Sequence, residues 1–345
     1  MTELSVRIGR LSLANPVMPA SGTFGPELAE VFDLDLLGAL VTKSVTPAPR
    51  AGNPTPRVAE TGQGLLNSIG IPGKGIPAWI AADLPLWRRF AAPLVVSVSA
   101  PTAEAFGEAA RALTRPGVAA LEANISCPNL EEDGRAFAAA PGPAAAAVAA
   151  MVRATHLPVW AKLSPQTGDL VGVARACEEA GAEALVVANT ILGLAIDIEA
   201  ARPALGAGMG GYSGPGFKPI ALRMVWQCAQ AVHVPIIGCG GISRPEDAVE
   251  FLMAGASAVQ VGTATFREPD AMPRIIAGLA AFCARKGIAR VADLTGMALP
   301  KRGRAKGPAG EGRDTAAQGA LGPGAGGPHT RPAAARPRNP VGTAA

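Results

Sequence analysis

The sequence is short of several things, and each shortage closes off a class of explanation. It holds five cysteines in 345 residues (Cys127, Cys177, Cys228, Cys239 and Cys283), scattered, odd in number and without a C-x-x-C pair. That argues against a disulfide framework and against an iron–sulfur or zinc centre within this chain, and it favours a reducing cytoplasm. No apolar run approaches the ~20 residues of a membrane span, and the first residues, M-T-E-L-S-V-R-I-G-R, carry no apolar signal segment. Strong charge is also lacking. The net charge is +4, but eight Lys/Arg against Glu311 and Asp314 give residues 301–345 a charge of +6, leaving −2 for residues 1–300. A mildly acidic body is no nucleic-acid platform. The segment 301–345 is rich in Gly, Pro and Ala with almost no large apolar residues. It reads as a disordered, solvated extension, with a weak polyanion-binding arm as the other reading.

What is present is a large supply of core. Hydrophobic residues make up 49% of the chain, enough for one large α/β barrel or two ordinary domains. Eight short apolar runs recur, at 15–20, 39–44, 94–98, 119–125, 159–163, 184–189, 235–239 and 258–262. They are continuous, β-branched and bounded by Gly or Pro, as buried parallel strands are. Ala-rich segments of helical spacing lie between them, at 102–114, 141–155, 169–180, 217–232 and 245–254. Gly181 and Gly255 each close such a segment just before a strand, where a helix C-terminus uses glycine. Eight β/α units over residues 1–300 predict a (β/α)₈ TIM barrel, with a doubly wound sheet as the alternative. The connections 45–80 and 190–216 are long, rich in Gly, Pro and Asn, and follow strands. They are expected at the C-terminal face, where barrel enzymes build their sites.

Two further patterns fall on that face. Runs seven and eight end in G-C-G-G-I (238–242) and V-G-T-A (261–264). Each glycine alone is compatible with a tight turn. Together, after strands seven and eight, they suit a phosphate site built from the backbone N–H groups of Gly240, Gly241, Gly262 and Thr263. G-A-G-M-G-G (206–211) has the look of a dinucleotide fingerprint, but no strand leads into it and no helix directly follows, so it is set aside. The strand ends carry a polar ring: Ser21, Lys43, Ser44, Ser97, Asn124 followed by Cys127, Lys162, Asn189 and Thr190. Lysine and asparagine at the ends of apolar strands are costly unless they meet partners. Two cations beside a phosphate site fit an anionic heteroaromatic ligand such as flavin mononucleotide (FMN). A lyase using Lys162 as a Schiff base is the rival from a different class.

The motifs N-P-V-M-P-A-S-G-T-F-G, K-S-V-T-P-A-P-R-A-G-N-P-T-P-R, L-L-N-S-I-G, N-I-S-C-P-N, K-L-S-P, A-N-T, S-G-P-G-F-K-P, I-I-G-C-G-G-I and A-S-A-V-Q-V-G-T-A occur in that order between residues 4 and 298. In them the chain resembles the class 1 dihydroorotate dehydrogenases, most closely the catalytic subunit of the 1B branch. The resemblance implies oxidation of dihydroorotate to orotate in pyrimidine synthesis, with FMN as first electron acceptor. Cys127 then falls on the family's catalytic base, which removes the C5 proton while hydride leaves C6. A thiol there is otherwise read as a small buried hydrophobe. The related membrane-anchored class carries Ser at this position and an apolar N-terminal anchor, and this sequence shows neither. The same resemblance places Lys43 against both flavin and substrate. Asn67, Ser68, Ile69, Gly70 and Ile71 become the substrate loop, with Asn67 in direct contact. Asn124, Asn129, Asn189 and Thr190 become the groups that hold the pyrimidine. Lys162 lies at the flavin, and Ser21, Ser44, Ala188, Gly214, Gly240, Gly241, Gly262 and Thr263 complete its cradle. Asn124 and Ser97, the latter where the family usually has Asn, are also placed at the flavin. The sequence shows no site for NAD and no cluster ligands. The resemblance therefore implies a homodimer joined, in a heterotetramer, to a subunit carrying FAD and a 2Fe–2S cluster. A fumarate-linked 1A homodimer and a related flavoprotein oxidising dihydropyrimidines are the near alternatives.

Overall fold

A computed structural model describes residues 2–126 and 137–300, and all eight predicted strands are found in it. They are β1 (Val17–Pro19), β2 (Leu40–Val41), β3 (Leu94–Val98), β4 (Ala120–Asn124), β5 (Val159–Lys162), β6 (Ala184–Val187), β7 (Ile236–Cys239) and β8 (Ala258–Val261). Every hydrogen-bonded pair among them is parallel, in the order β1-β8-β7-β6-β5-β4-β3-β2. Every residue of these strands is buried. A parallel sheet that faces packed side chains inside and helices outside has no solvent side, which explains why the runs are apolar without alternation.

The two ends of that order, β1 and β2, are joined by one backbone contact. The Gly38 N–H donates to the Val17 carbonyl at 2.9 Å. Asn15, buried at 4% exposure, braces the junction: its Oδ1 accepts the Val17 N–H at 3.0 Å and its Nδ2 donates to the Leu36 carbonyl at 2.8 Å. A Cβ on Gly38 would run into the Asn15 carbonyl oxygen. Glycine is therefore needed there for close approach. The outcome is a closed (β/α)₈ barrel rather than an open doubly wound sheet.

The predicted helices are present with slightly shorter ends: Ala103–Leu113, Pro141–Ala154, Leu170–Glu179, Lys218–Ala229 and Pro245–Met253, with Ala271–Lys286 added before Pro300. Their starts are chemically marked. Thr102 accepts from the Ala105 N–H and Asp169 from the Gly172 N–H, which satisfies otherwise orphaned first-turn donors. Gly181 and Gly255 sit at φ +97° and +113°, the region open to glycine. Among the described residues no helix is long and apolar enough to cross a membrane.

The two faces of the barrel are dressed differently. A hairpin of Val6–Ile8 and Leu11–Leu13 caps one end. Its Arg10 bonds Glu183 and the His156 carbonyl, both just before strands begin, so this is the N-terminal face. On the other face the two long connections do more than loop. Segments Val58–Thr61 and Gly64–Asn67 from the first pair with Gly210–Ser213 and Ile191–Gly193 from the second, in one four-stranded antiparallel sheet. The G-A-G-M-G-G stretch lies at the start of the 210–213 strand, not in a strand-to-helix turn. The first connection also contains a helix, Ile76–Ala82, that its Gly/Pro content concealed.

Gly38→Ala is expected to destabilise the fold by about 1–3 kcal/mol, the usual range for forcing a methyl into a packed site. Urea unfolding would show a lower midpoint at unchanged slope. A midpoint equal to that of the wild type would contradict this account of barrel closure.

Candidate active site

The strand ends and the four-stranded sheet together enclose a cavity of about 710 Å³, inside the ~300–1,000 Å³ typical of small-molecule sites. Its lining brings together most of the residues singled out from sequence: Ser21, Lys43, Ser44, Asn67, Ser68, Ile69, Gly70, Ile71, Asn124, Lys162, Ala188, Asn189, Thr190, Gly214, Gly240, Gly241, Gly262 and Thr263. Cys127 and Asn129 lie outside the described residues. Ser97 is not among the lining residues. It is fully buried on β3, where its Oγ is 2.9 Å from Ser44 Oγ and donates to Glu122 Oε1 at 3.1 Å. Its reach is spent on the layer beneath.

One wall is a chain of amides and hydroxyls. Asn124 Nδ2 donates to Ser44 Oγ at 2.9 Å, Ser126 Oγ to Asn124 Oδ1 at 2.9 Å, and Asn189 Nδ2 to Ser126 Oγ at 2.6 Å. Asn189 Oδ1 accepts the Thr190 N–H at 2.8 Å. The side chains thus hold each other in fixed directions at the cavity wall. Such a preset array of donors and acceptors suits a flat, polar, hydrogen-bonding ligand.

The opposite end is built from bare backbone. The N–H groups of Gly240, Gly241, Gly262 and Thr263 donate to no acceptor among the described residues. Gly240 and Gly241 adopt φ +133° and +77°. A Cβ on Gly240 would meet Phe217 and Ala221, and one on Gly241 would meet Lys218 and the Gly214 carbonyl. The β7 loop is therefore restricted to glycine at these two positions, and both loops leave their donors free, which fits a phosphate group. The loop after β7 is pinned from behind. Asp247 Oδ2 accepts the Ser243 and Arg244 N–H groups at 2.9 Å each, while Lys218 Nζ donates to Asp247 Oδ1 at 2.8 Å and to Glu250. Burial works to raise the Asp247 carboxyl, but the Lys218 ammonium and the two backbone donors outweigh it and hold it below the usual carboxylate range. Lys218 is opposed by burial too, and its two carboxylate partners still lift it above the usual lysine range.

Two lysines complete the site. Lys43 Nζ donates to the Pro72 carbonyl at 2.7 Å, tying the end of segment 67–72 to the end of β2. Burial, and next the Arg57 charge, push its amine below the ordinary lysine range. In that segment Gly70 and Ile71 both have positive φ, +74° and +50°. For a β-branched residue this is a strained conformation of the kind found where a loop is fixed for function. Lys162, at 2% exposure, donates to Gln260 Oε1 at 3.0 Å and Ser21 Oγ at 3.2 Å and lies 3.8 Å from Glu122 Oε1. Lys162 is thus tied to three neighbours, whereas a Schiff-base nucleophile needs its amine free. Sequence reading missed Glu122 and Gln260 because it took strand ends and passed over mid-strand polar residues. It also missed Ser126, Asn53, Gln166 and Ser213 in the lining.

Fold and site together define a (β/α)₈ barrel with free backbone donors and a fixed wall of amides and hydroxyls at its C-terminal ring. The profile of the family described as dihydroorotate dehydrogenase matches residues 3–283. The chain is 49% identical over 297 residues to a protein of Geotalea daltonii, with 85% of this chain and 97% of the relative covered. A Trichlorobacter lovleyi protein is 50% identical over 296 residues, covering 85% and 97%, and a Geobacillus kaustophilus protein 46% identical over 299 residues, covering 86% and 96%. Each of the three bears the name dihydroorotate dehydrogenase B (NAD(+)), catalytic subunit. This chain belongs to the dihydroorotate dehydrogenase family.

Replacing Asp247 by Asn tests the pinning of the β7 loop. At neutral pH the substitution is expected to cost about 1–3 kcal/mol, the range for losing charge-assisted hydrogen bonds to a buried carboxylate. Because the folded-state carboxyl titrates low, its contribution is present above the unfolded value of ~3.9 and is lost as pH falls through the lower folded value. Denaturation at a series of pH values should show the gap between wild type and Asp247→Asn narrowing below about pH 4. A gap independent of pH would contradict the ion-pair account.

Proposed function

We propose that the chain is the catalytic subunit of a dihydroorotate dehydrogenase, oxidising dihydroorotate to orotate with FMN as first electron acceptor. The observation that carries this reading is the union, in one cavity, of the free N–H groups of the β7 and β8 loops with the Ser44–Asn124–Ser126–Asn189 chain and the Lys43 and Lys162 cations. Gly240, Gly241, Gly262 and Thr263 would bind the phosphate, and Ser21, Ser44, Lys162, Ala188 and Gly214 would border the rest of the cofactor. When bound, FMN supplies the acceptor for the hydride that leaves C6. Asn67, Asn124, Asn129, Asn189 and Thr190 would orient the planar pyrimidine, and the sheet over the mouth would exclude water. Cys127, which lies in N-I-S-C-P-N, would take the C5 proton as the C5–C6 double bond forms.

The onward electron path is read from the relatives' printed names, which pair a catalytic subunit with NAD. This chain would act as a homodimer within a heterotetramer, its electrons leaving through a partner's 2Fe–2S cluster and FAD, in the cytoplasm. The segment 301–345, expected from its composition to be an extension, lies outside the described residues. The fumarate-linked homodimer is separated from this arrangement by the acceptor used.

Two experiments test the proposal. In anaerobic stopped flow, Cys127→Ala loaded with FMN should be reduced by dihydroorotate about 10²–10⁴-fold more slowly than wild type, the usual worth of a positioned base. Equal rates would remove the base assignment. The purified chain alone should turn over poorly with NAD and gain NAD turnover on adding an FAD and iron–sulfur subunit. Efficient NAD or fumarate reduction by the chain alone would contradict the partner arrangement.

A further inference from the structure

The barrel interior directly under the cavity is charged. Such interiors are normally filled by branched apolar side chains, yet here Glu122 (0% exposed), Gln260 (1%) and Lys162 (2%) form one connected group. Strand register sets their heights. Asn124 lies beside Lys162, and one layer down Glu122 lies beside Ser97. Gln260 has only one satisfied orientation. Its Nε2 donates to Glu122 Oε2 at 2.6 Å, and its Oε1 accepts from Lys162 Nζ at 3.0 Å. Ser97 Oγ donates to the other carboxylate oxygen at 3.1 Å, and Glu122 Oε1 stands 3.8 Å from Lys162 Nζ. On its upper side Lys162 reaches Ser21, a cavity-lining residue, and itself lines the cavity. Two ions taken from water cost several kcal/mol each, and apolar replacements of buried pairs are often as stable or more so. Stability alone is a poor reason for the pair.

We propose that Glu122 is a positioning residue: through Gln260 it fixes Lys162 in direction, and its charge offsets part of the lysine's field on the cofactor above. The inference rests on the FMN reading and adds to it a residue that sets the redox balance. Reduction brings negative charge onto the bound cofactor. Lys162 favours that charge, and Glu122, farther below, opposes it. Ser97 belongs to the same device, holding the carboxylate from the β3 side.

The test is the two-electron midpoint potential of bound FMN, measured by anaerobic dye equilibration on the FMN-loaded chain, together with the dissociation constant for oxidised FMN. In Glu122→Gln the carboxamide keeps the shape and loses the charge. Binding of reduced relative to oxidised FMN should rise about tenfold, a positive shift of about 30 mV for a two-electron couple. Glu122→Asp keeps the charge but withdraws it from Lys162, and should shift the potential in the same direction by less. It also carries the test if Glu122→Gln does not fold. A purely structural role would lower thermal stability or weaken both redox forms of FMN alike, leaving the potential in place. An unchanged or more negative potential in either FMN-bearing variant overturns the proposal. Failure of the wild-type chain to take up FMN at all is a different result, which overturns the functional reading and this inference with it.

Discussion

Closure of the parallel sheet is the constraint on which the rest depends. Eight strands running the same way, joined end to end through the Gly38–Val17 contact, bring every C-terminal strand end to a single ring. Residues as distant in sequence as Lys43, Asn124, Lys162, Asn189 and Gly240 become neighbours without any loop having to carry them. The N-terminal ring is capped by a hairpin anchored through Arg10 and Glu183. Chemistry is thereby left to the other face, as the barrel architecture generally arranges it.

On that face two kinds of polarity serve different ends. The loops after β7 and β8 offer unpaired backbone donors, the β7 loop on a backbone too crowded for a Cβ at Gly240 and Gly241, and Asp247 with Lys218 holds that loop in place from outside. The wall of Ser44, Asn124, Ser126 and Asn189 consists of side chains already bonded to one another. Prior organisation of this kind lowers the entropy lost on binding. Between the two, Lys162 stands on a buried carboxylate and Lys43 on a backbone carbonyl, so each cation has a fixed direction.

Much of this was legible in the sequence, and what was not has identifiable causes. The strands could be read because burial on both faces makes them continuous apolar runs, and the helices because Ala-rich spacing and caps such as Thr102 and Asp169 mark them. The ring of site residues could be read because polar side chains ending apolar runs stand out. The four-stranded sheet could not be read, since it pairs segments 58–67 with 191–213 and periodicity carries no information on distant partners. Helix Ile76–Ala82 was hidden by Pro77 and the glycines before it, although proline is well placed in a first turn. Ser97 was read by its position at a strand end, while its hydroxyl points to the layer below. Glu122 was open to detection. A glutamate inside A-L-E-A-N, with no solvent face to turn to, requires a buried partner, and Lys162 was the nearest candidate cation in the ring.

The most direct measurement of the central claim is an anaerobic absorbance titration of the purified chain. After equilibration with excess FMN and removal of the free cofactor, the account predicts a yellow protein holding about one FMN per chain, bleached by stoichiometric dihydroorotate. A colourless protein, or a flavin spectrum unmoved by dihydroorotate, would contradict it.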